Sequence, residues 1–222
     1  MHSLFAPVDT LDGSNFLRAV HSTDGSLTVE SFLMPVHSFQ QDGQPATVNG
    51  YGSAYSLFLK VEAVIVGTTF ETLTSQLWLD PRNNDGSPTV SDKSDPTFTN
   101  GIRGDILLAT GTMESANLAT DTSGLRTADF VETMTPTPAG QLFLGGSIRD
   151  GSLLEENLTT DTADPSVFGT FTEPNGTSVN TVTGGQSAIS LKGPDDTLGT
   201  ILLPSVSSAL LQLAHGLKFI HG

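Results

Sequence analysis

The chain reads as an all-β protein, an antiparallel, jelly-roll-like β-sandwich forming a single domain over residues 1–222, on three observations. Asp or Asn is followed directly by Gly eight times, four of them as Asp-Gly-Ser at Asp12, Asp24, Asp85 and Asp150. Asx-Gly supplies the positive φ angles that a tight hairpin turn needs at its two central positions. Residues then alternate apolar and polar along several segments, and short Val-, Ile-, Thr- and Phe-rich runs are separated by turn residues at sandwich-like spacing.

Phe16 to Val20 and Leu27 to Leu33 read as a first hairpin about Asp24-Gly25, and Gln40 to Gly52 as an irregular connection. Ser53 to Val66 is the clearest strand: Tyr55, Leu57, Leu59, Val61, Ala63 and Ile65 share one face at a period of two. Its partner is Phe70 to Leu79, with Trp78 on the face opposite Leu77 and Leu79. Further strands are predicted at Ile102 to Thr112, Ala128 to Met134, Gln141 to Leu144, Val167 to Thr172, Ser178 to Thr183, Ser187 to Leu191 and Leu198 to Leu203, with Leu153 to Thr160 as a helical turn or loop. At the C-terminus Val206, Leu210, Leu213 and Leu217 fall at helical spacing behind Pro204, so residues 205–222 read as a short helix or a segment that docks on a neighbouring subunit.

Nine Lys and Arg against 24 Asp and Glu give a formal net charge of -15. Such a surface repels phosphate backbones and anionic lipid headgroups, which argues against nucleic-acid binding and membrane insertion. Cysteine is absent, which removes disulfides, thiolate metal sites and Cys nucleophiles together. No apolar run reaches the ~18 residues of a membrane helix, and no signal peptide is legible at Met1 to Pro7.

The best chemical candidate is the loop after Leu79. Asp80, Asn83, Asp85 and Asp92 interleave hard oxygen donors around Gly86, which suits Ca2+ as the one cofactor to expect, although Pro81 stands where an EF-type loop needs its first carboxylate. Without calcium these residues cap their own turns. His2, His21, His37, His215 and His221 show no zinc spacing, and there is no Gly-x-Ser-x-Gly elbow. Glu155-Glu156 and Asp195-Asp196 are adjacent carboxylates, but neighbours on a strand face opposite ways, so neither pair is a catalytic dyad by itself and both read as solvated turns. Arg103-Gly104-Asp105 opens an apolar strand rather than an exposed tip.

Tyr55-Ser56-Leu57-Phe58-Leu59, then Leu77-Trp78-Leu79-Asp80-Pro81, Asp105-Ile106-Leu107-Leu108-Ala109-Thr110-Gly111 and Val182-Thr183-Gly184-Gly185-Gln186-Ser187-Ala188 follow one another in an order that resembles the flocculation-associated PEP-CTERM exoproteins of Gram-negative bacteria. The resemblance spans about residues 50 to 190. It implies a Thr- and Gly-rich β protein of extracellular aggregates, with no catalytic residues to carry over. After Ser190 the chain departs from that pattern: Pro-Glu-Pro, the apolar tail and the terminal Arg cluster are missing, so another means of retention is implied.

The leading expectation is therefore a secreted or surface-exposed bacterial structural protein, not an enzyme, that self-assembles as a homo-oligomer or polymer into a matrix, filament or sheath. Its partners would be copies of itself, through strand edges or through Val206, Leu210, Leu213 and Leu217, and polysaccharide. A second reading is a calcium- or carbohydrate-binding module using Trp78, Tyr51 or Tyr55, and a third is a β-barrel enzyme with carboxylates drawn from separate strands; a deep pocket lined by two or more buried carboxylates, or by a His with a carboxylate partner, would favour the last.

Overall fold

The computed structural model describes residues 5–14, 17–22, 27–67, 69–81, 105–120, 125–149, 151–161, 167–172, 178–183, 185–193 and 198–204. Fourteen strands and one short helix follow in chain order: β1 (Phe5–Val8), β2 (Thr10–Ser14), β3 (Leu17–Ser22), β4 (Leu27–Gln41), β5 (Gln44–Ala46), β6 (Tyr55–Val66), β7 (Thr69–Pro81), β8 (Ile106–Thr120), β9 (Leu125–Pro136), α1 (Pro138–Phe143), β10 (Leu153–Asp161), β11 (Val167–Thr172), β12 (Ser178–Thr183), β13 (Gln186–Lys192) and β14 (Ile201–Pro204).

The antiparallel β architecture is present, but the expected sandwich is not. Strands β2, β13, β10, β9, β8, β7 and β6 pair in that order, and β4 pairs with both β2 and β6, closing an eight-stranded up-and-down barrel. The closing contact is long, running from Leu27↔Val66 to Pro35↔Phe58. Closure satisfies the backbone donors and acceptors that an open sheet would leave along its two edges.

β6 shows why this wall is stable. Tyr55, Leu57, Leu59, Val61, Ala63 and Ile65 all point inward and are buried, as their period-two spacing predicts. Burying each large aliphatic side chain contributes about 1.5–3 kcal/mol. β7 places Leu73, Leu77 and Leu79 beside them, and β4 adds Phe32 and Met34. At the Asp42-Gly43 turn joining β4 to β5, both residues have positive φ, 51° and 71°, and Gln41 pairs with Gln44. Asp12-Gly13-Ser14, by contrast, lies within β2.

One mouth of the barrel is covered. β1 and β14 pair with each other, and Val8, Ile201 and Leu203 join the same hydrophobic core as Phe143 and Leu144 at the end of α1. Tyr55 ties this cover to the wall, its phenol donating to the Pro204 carbonyl at 2.5 Å. Segment 141–144, expected as a strand, belongs to α1 and its C-cap: Thr137 caps the helix by accepting from the Gly140 amide at 3.0 Å, and Pro138 follows it. Leu153 to Thr160, expected as a helical turn or loop, is strand β10, with Leu154, Glu156 and Leu158 inward.

The long strands run past the barrel. β3 continues the line of β2, and β12 that of β13; β3 pairs with β4 and β12, while β11 pairs with β12. Residues 205–222, with Val206, Leu210, Leu213 and Leu217, lie outside the described residues, as do Asp24-Gly25 and 82–104.

Candidate functional site

Two polar features interrupt the apolar barrel, one on its outer wall and one within it. The outer feature is a groove of about 350 Å3 across β2, β4, β10 and β13. It begins at a bulge: Asp12 pairs with Ser38 but Gly13 with Val36, so β4 carries His37 as an extra residue. An extra residue bends its strand and re-aims the side chains beside it. Here it gathers Asp12, Ser38, Gln40, Asn157, Gln186 and Ser187 around one depression. Ser38 Oγ and Gln40 Nε2 donate to Asp12 Oδ2 at 3.2 and 2.9 Å, and Asn157 Nδ2 donates to Asp129 Oδ1.

The groove floor has no side chain at Gly13. A Cβ there would stand 2.5 Å from Ser187 Oγ and 2.8 Å from the Pro35 carbonyl oxygen, so the close approach of β13 and β4 depends on glycine. Ser187 Oγ is buried and makes no hydrogen bond among the described residues. An unpaired buried hydroxyl costs about 1–3 kcal/mol. A second depression, about 360 Å3, lies near the covered mouth beside Gly145, Gly146 and Arg149, whose Nε already donates to the Gly146 carbonyl at 2.8 Å.

The inner feature is a carboxyl pair. Glu132 on β9 and Glu156 on β10 are diagonal neighbours on the inward face, since Glu132 pairs with Leu154 and Phe130 with Glu156. They are 0% and 2% exposed. Ser75 on β7 donates its hydroxyl to Glu132 Oε2, and Gly111 leaves room for that bond, because a Cβ at 111 would lie within 2.6 Å of both oxygens. Among the described residues Glu132 Oε1 and both carboxyl oxygens of Glu156 find no hydrogen-bond donor. Burial pushes the Glu132 carboxyl above its ordinary range, with the Ser75 hydroxyl and the Glu156 side chain working against that rise. Burial, reinforced by the facing Glu132 charge, pushes Glu156 well above it. Two ionised carboxylates are both acceptors and cannot bond each other; with one proton on Glu156 the pair can.

Of the residues singled out for calcium, Asp80 is described and the other three are not. Asp80 is buried at the end of β7, where Ser56 Oγ donates to its Oδ2 at 3.4 Å; Asn83, Asp85 and Asp92 lie outside the described residues. Among the described residues no group of three His, Asp or Glu is arranged to hold a metal. The three aromatic residues suggested for sugar stacking are engaged elsewhere. Tyr55 is core, Tyr51 donates to the Val36 carbonyl at 2.6 Å, and Trp78 stacks on Phe58 with rings 4° from parallel. Glu155 faces outward and pairs with Lys192 at 2.6 Å, while its neighbour Glu156 is buried in β10 rather than solvated in a turn.

Sequence reasoning missed Glu132 and the groove, and it read Glu156 as part of a solvated turn. A signal for the carboxyls exists: in Phe130-x-Glu132-x-Met134 and Leu154-x-Glu156-x-Leu158 a Glu occupies the apolar phase of a period-two pattern. The groove has no such signal, because it depends on a bulge. Comparison of the chain with protein-family models, with curated proteins and with solved structures finds no match.

Proposed function

We propose that this chain is a binding component of a bacterial extracellular matrix, holding a neutral, hydroxyl-rich polymer such as a polysaccharide in the groove over β2, β4, β10 and β13. The observation that carries this reading is the groove's lining: hydroxyls and amides surround a single carboxylate that already accepts two hydrogen bonds. Such a surface offers paired donors and acceptors with little net charge, the complement of sugar hydroxyls rather than of an ion. The net charge of -15 works in the same direction, because it disfavours anionic polymers through long-range repulsion.

Calorimetry with short soluble neutral glycans tests this. Binding is expected, with Gln186→Ala weakening it about three- to tenfold, the loss of roughly one hydrogen bond. Absence of heat, and of amide shifts at residues 186–188, with every neutral glycan tried would refute it.

Self-assembly is a second reading, favoured by β11, which pairs with β12 alone among the described strands and so offers a backbone edge to another copy. Light scattering over a concentration series checks it: a mass fixed at the monomer value removes it.

A further inference from the structure

We propose that Glu132 and Glu156 share one retained proton inside the closed barrel, and that losing it as pH rises loosens the barrel wall at β9 and β10. This goes beyond the groove and does not depend on what the groove binds.

Three independent features support it. The two side chains sit diagonally across one strand pair, within reach of each other. Three of their four carboxyl oxygens have no donor among the described residues, although both residues are almost wholly buried. The fourth oxygen, Glu132 Oε2, is held by Ser75, which fixes Glu132 as the acceptor and leaves Glu156 to carry the proton. No cation offsets a second negative charge among the described side chains packed around the pair. Met113 faces it from β8, Ile189 and Leu191 from β13, Leu73 and Leu77 from β7 and Val61 from β6. β4 carries Glu30, a third buried carboxyl on the inward face. Asp9 and Tyr55 are also buried, and Arg18 of β3 occupies the register position opposite Phe32.

The sign of the pH effect follows from the raised proton affinity. In the unfolded chain both carboxyls ionise near their ordinary value of 4.5; in the folded barrel one proton stays on well above that. Stability from the pair is fully present below the ordinary value and is lost as pH rises toward the raised one. In that window the folded state binds one proton more, so the folding equilibrium constant falls about tenfold per pH unit.

Isotope-edited infrared spectroscopy of the intact protein reads the proton directly, and urea unfolding across a pH series reads its linkage. The expected result is a protonated-carboxyl band at neutral pH that disappears in Glu156→Gln, shifts in frequency in Glu132→Gln, where burial still holds the Glu156 proton, and is unchanged in Glu30→Gln. Glu156→Gln is also expected to remain folded with a flatter stability profile as pH rises above the ordinary carboxyl value. Wild-type spectra lacking that band at neutral pH, or a band removed only by Glu30→Gln, would overturn the proposal whether or not the variants fold. So would equal pH slopes for wild type and Glu156→Gln.

Discussion

Replacing Gly140 by alanine separates two opposing forces in α1. In an exposed helix the change stabilises by about 1 kcal/mol, because glycine is the poorer helix former. Here a Cβ at position 140 would stand 1.8 Å from the Leu108 carbonyl oxygen, against a floor of about 3.0 Å for such contacts, so α1 must lift from β8 by roughly 1.2 Å. That movement strains the bonds docking Thr137 on β8, its amide to the Leu108 oxygen at 2.9 Å and its hydroxyl to the Leu107 oxygen at 2.6 Å. Two such bonds are together worth about 2 kcal/mol. Partial exposure of Phe143 and Leu144, now buried, adds about 2 kcal/mol more. Net destabilisation of about 3 kcal/mol is expected, shifting the thermal midpoint down by roughly 6–12 °C for a chain of this size. Equilibrium urea denaturation followed by fluorescence of the single tryptophan, Trp78, measures it. A variant as stable as wild type, or more so, would show that α1 does not press on the β8 backbone.

At the groove, Gly13→Ala should cost about 1–3 kcal/mol as an overpacking change and reduce glycan affinity, because Ser187 can rotate away from the new methyl but the Pro35 carbonyl cannot; unaltered binding and stability would contradict the proposed floor. Tyr55→Phe removes the donor to Pro204 and should cost about 1–1.5 kcal/mol. Hydrogen exchange should then quicken in β1 and β14 while β6 and β7 stay protected, and uniform exchange across all four strands would argue against a separate cover.

The strands were legible where one physical rule dominates. β6 alternates without interruption, and β11 and β12 match their predicted bounds at Val167–Thr172 and Ser178–Thr183. Closure was not legible, because a sandwich and a barrel share the same alternation. They differ in whether distant strands such as β4 and β6 meet, and here they do over nine residue pairs. α1 was misread because Gln141, Leu142, Phe143 and Leu144 fit a strand as well as a helix. The cap formed by Thr137 and Pro138 decides the matter, and it lies just outside that window. β10 was misread because adjacent glutamates suggest a solvated turn, whereas the strand sends Glu155 out to Lys192 and Glu156 into the core.

The groove lies at a seam that the backbone itself dictates. β4 serves β3 up to Leu33 and β2 from Val36, so on that side Met34 and Pro35 fall in the gap between two partners. Proline cannot donate to a ladder and is tolerated in a central strand where the ladder is already broken. The same gap crosses the neighbouring strand, where β12 ends at Thr183, β13 begins at Gln186 and Gly185 has φ of 100°. Two long strands therefore change partners at one level of the wall, and the bulge at His37 takes up the mismatch just beside it. A wall interrupted in this way cannot be filled by alternating aliphatic residues, and it exposes the polar side chains of Asp12, Gln40 and Gln186. The binding surface and the extension of β3, β11 and β12 beyond the barrel are thus consequences of one feature, the change of strand partners at Pro35 and Gly185.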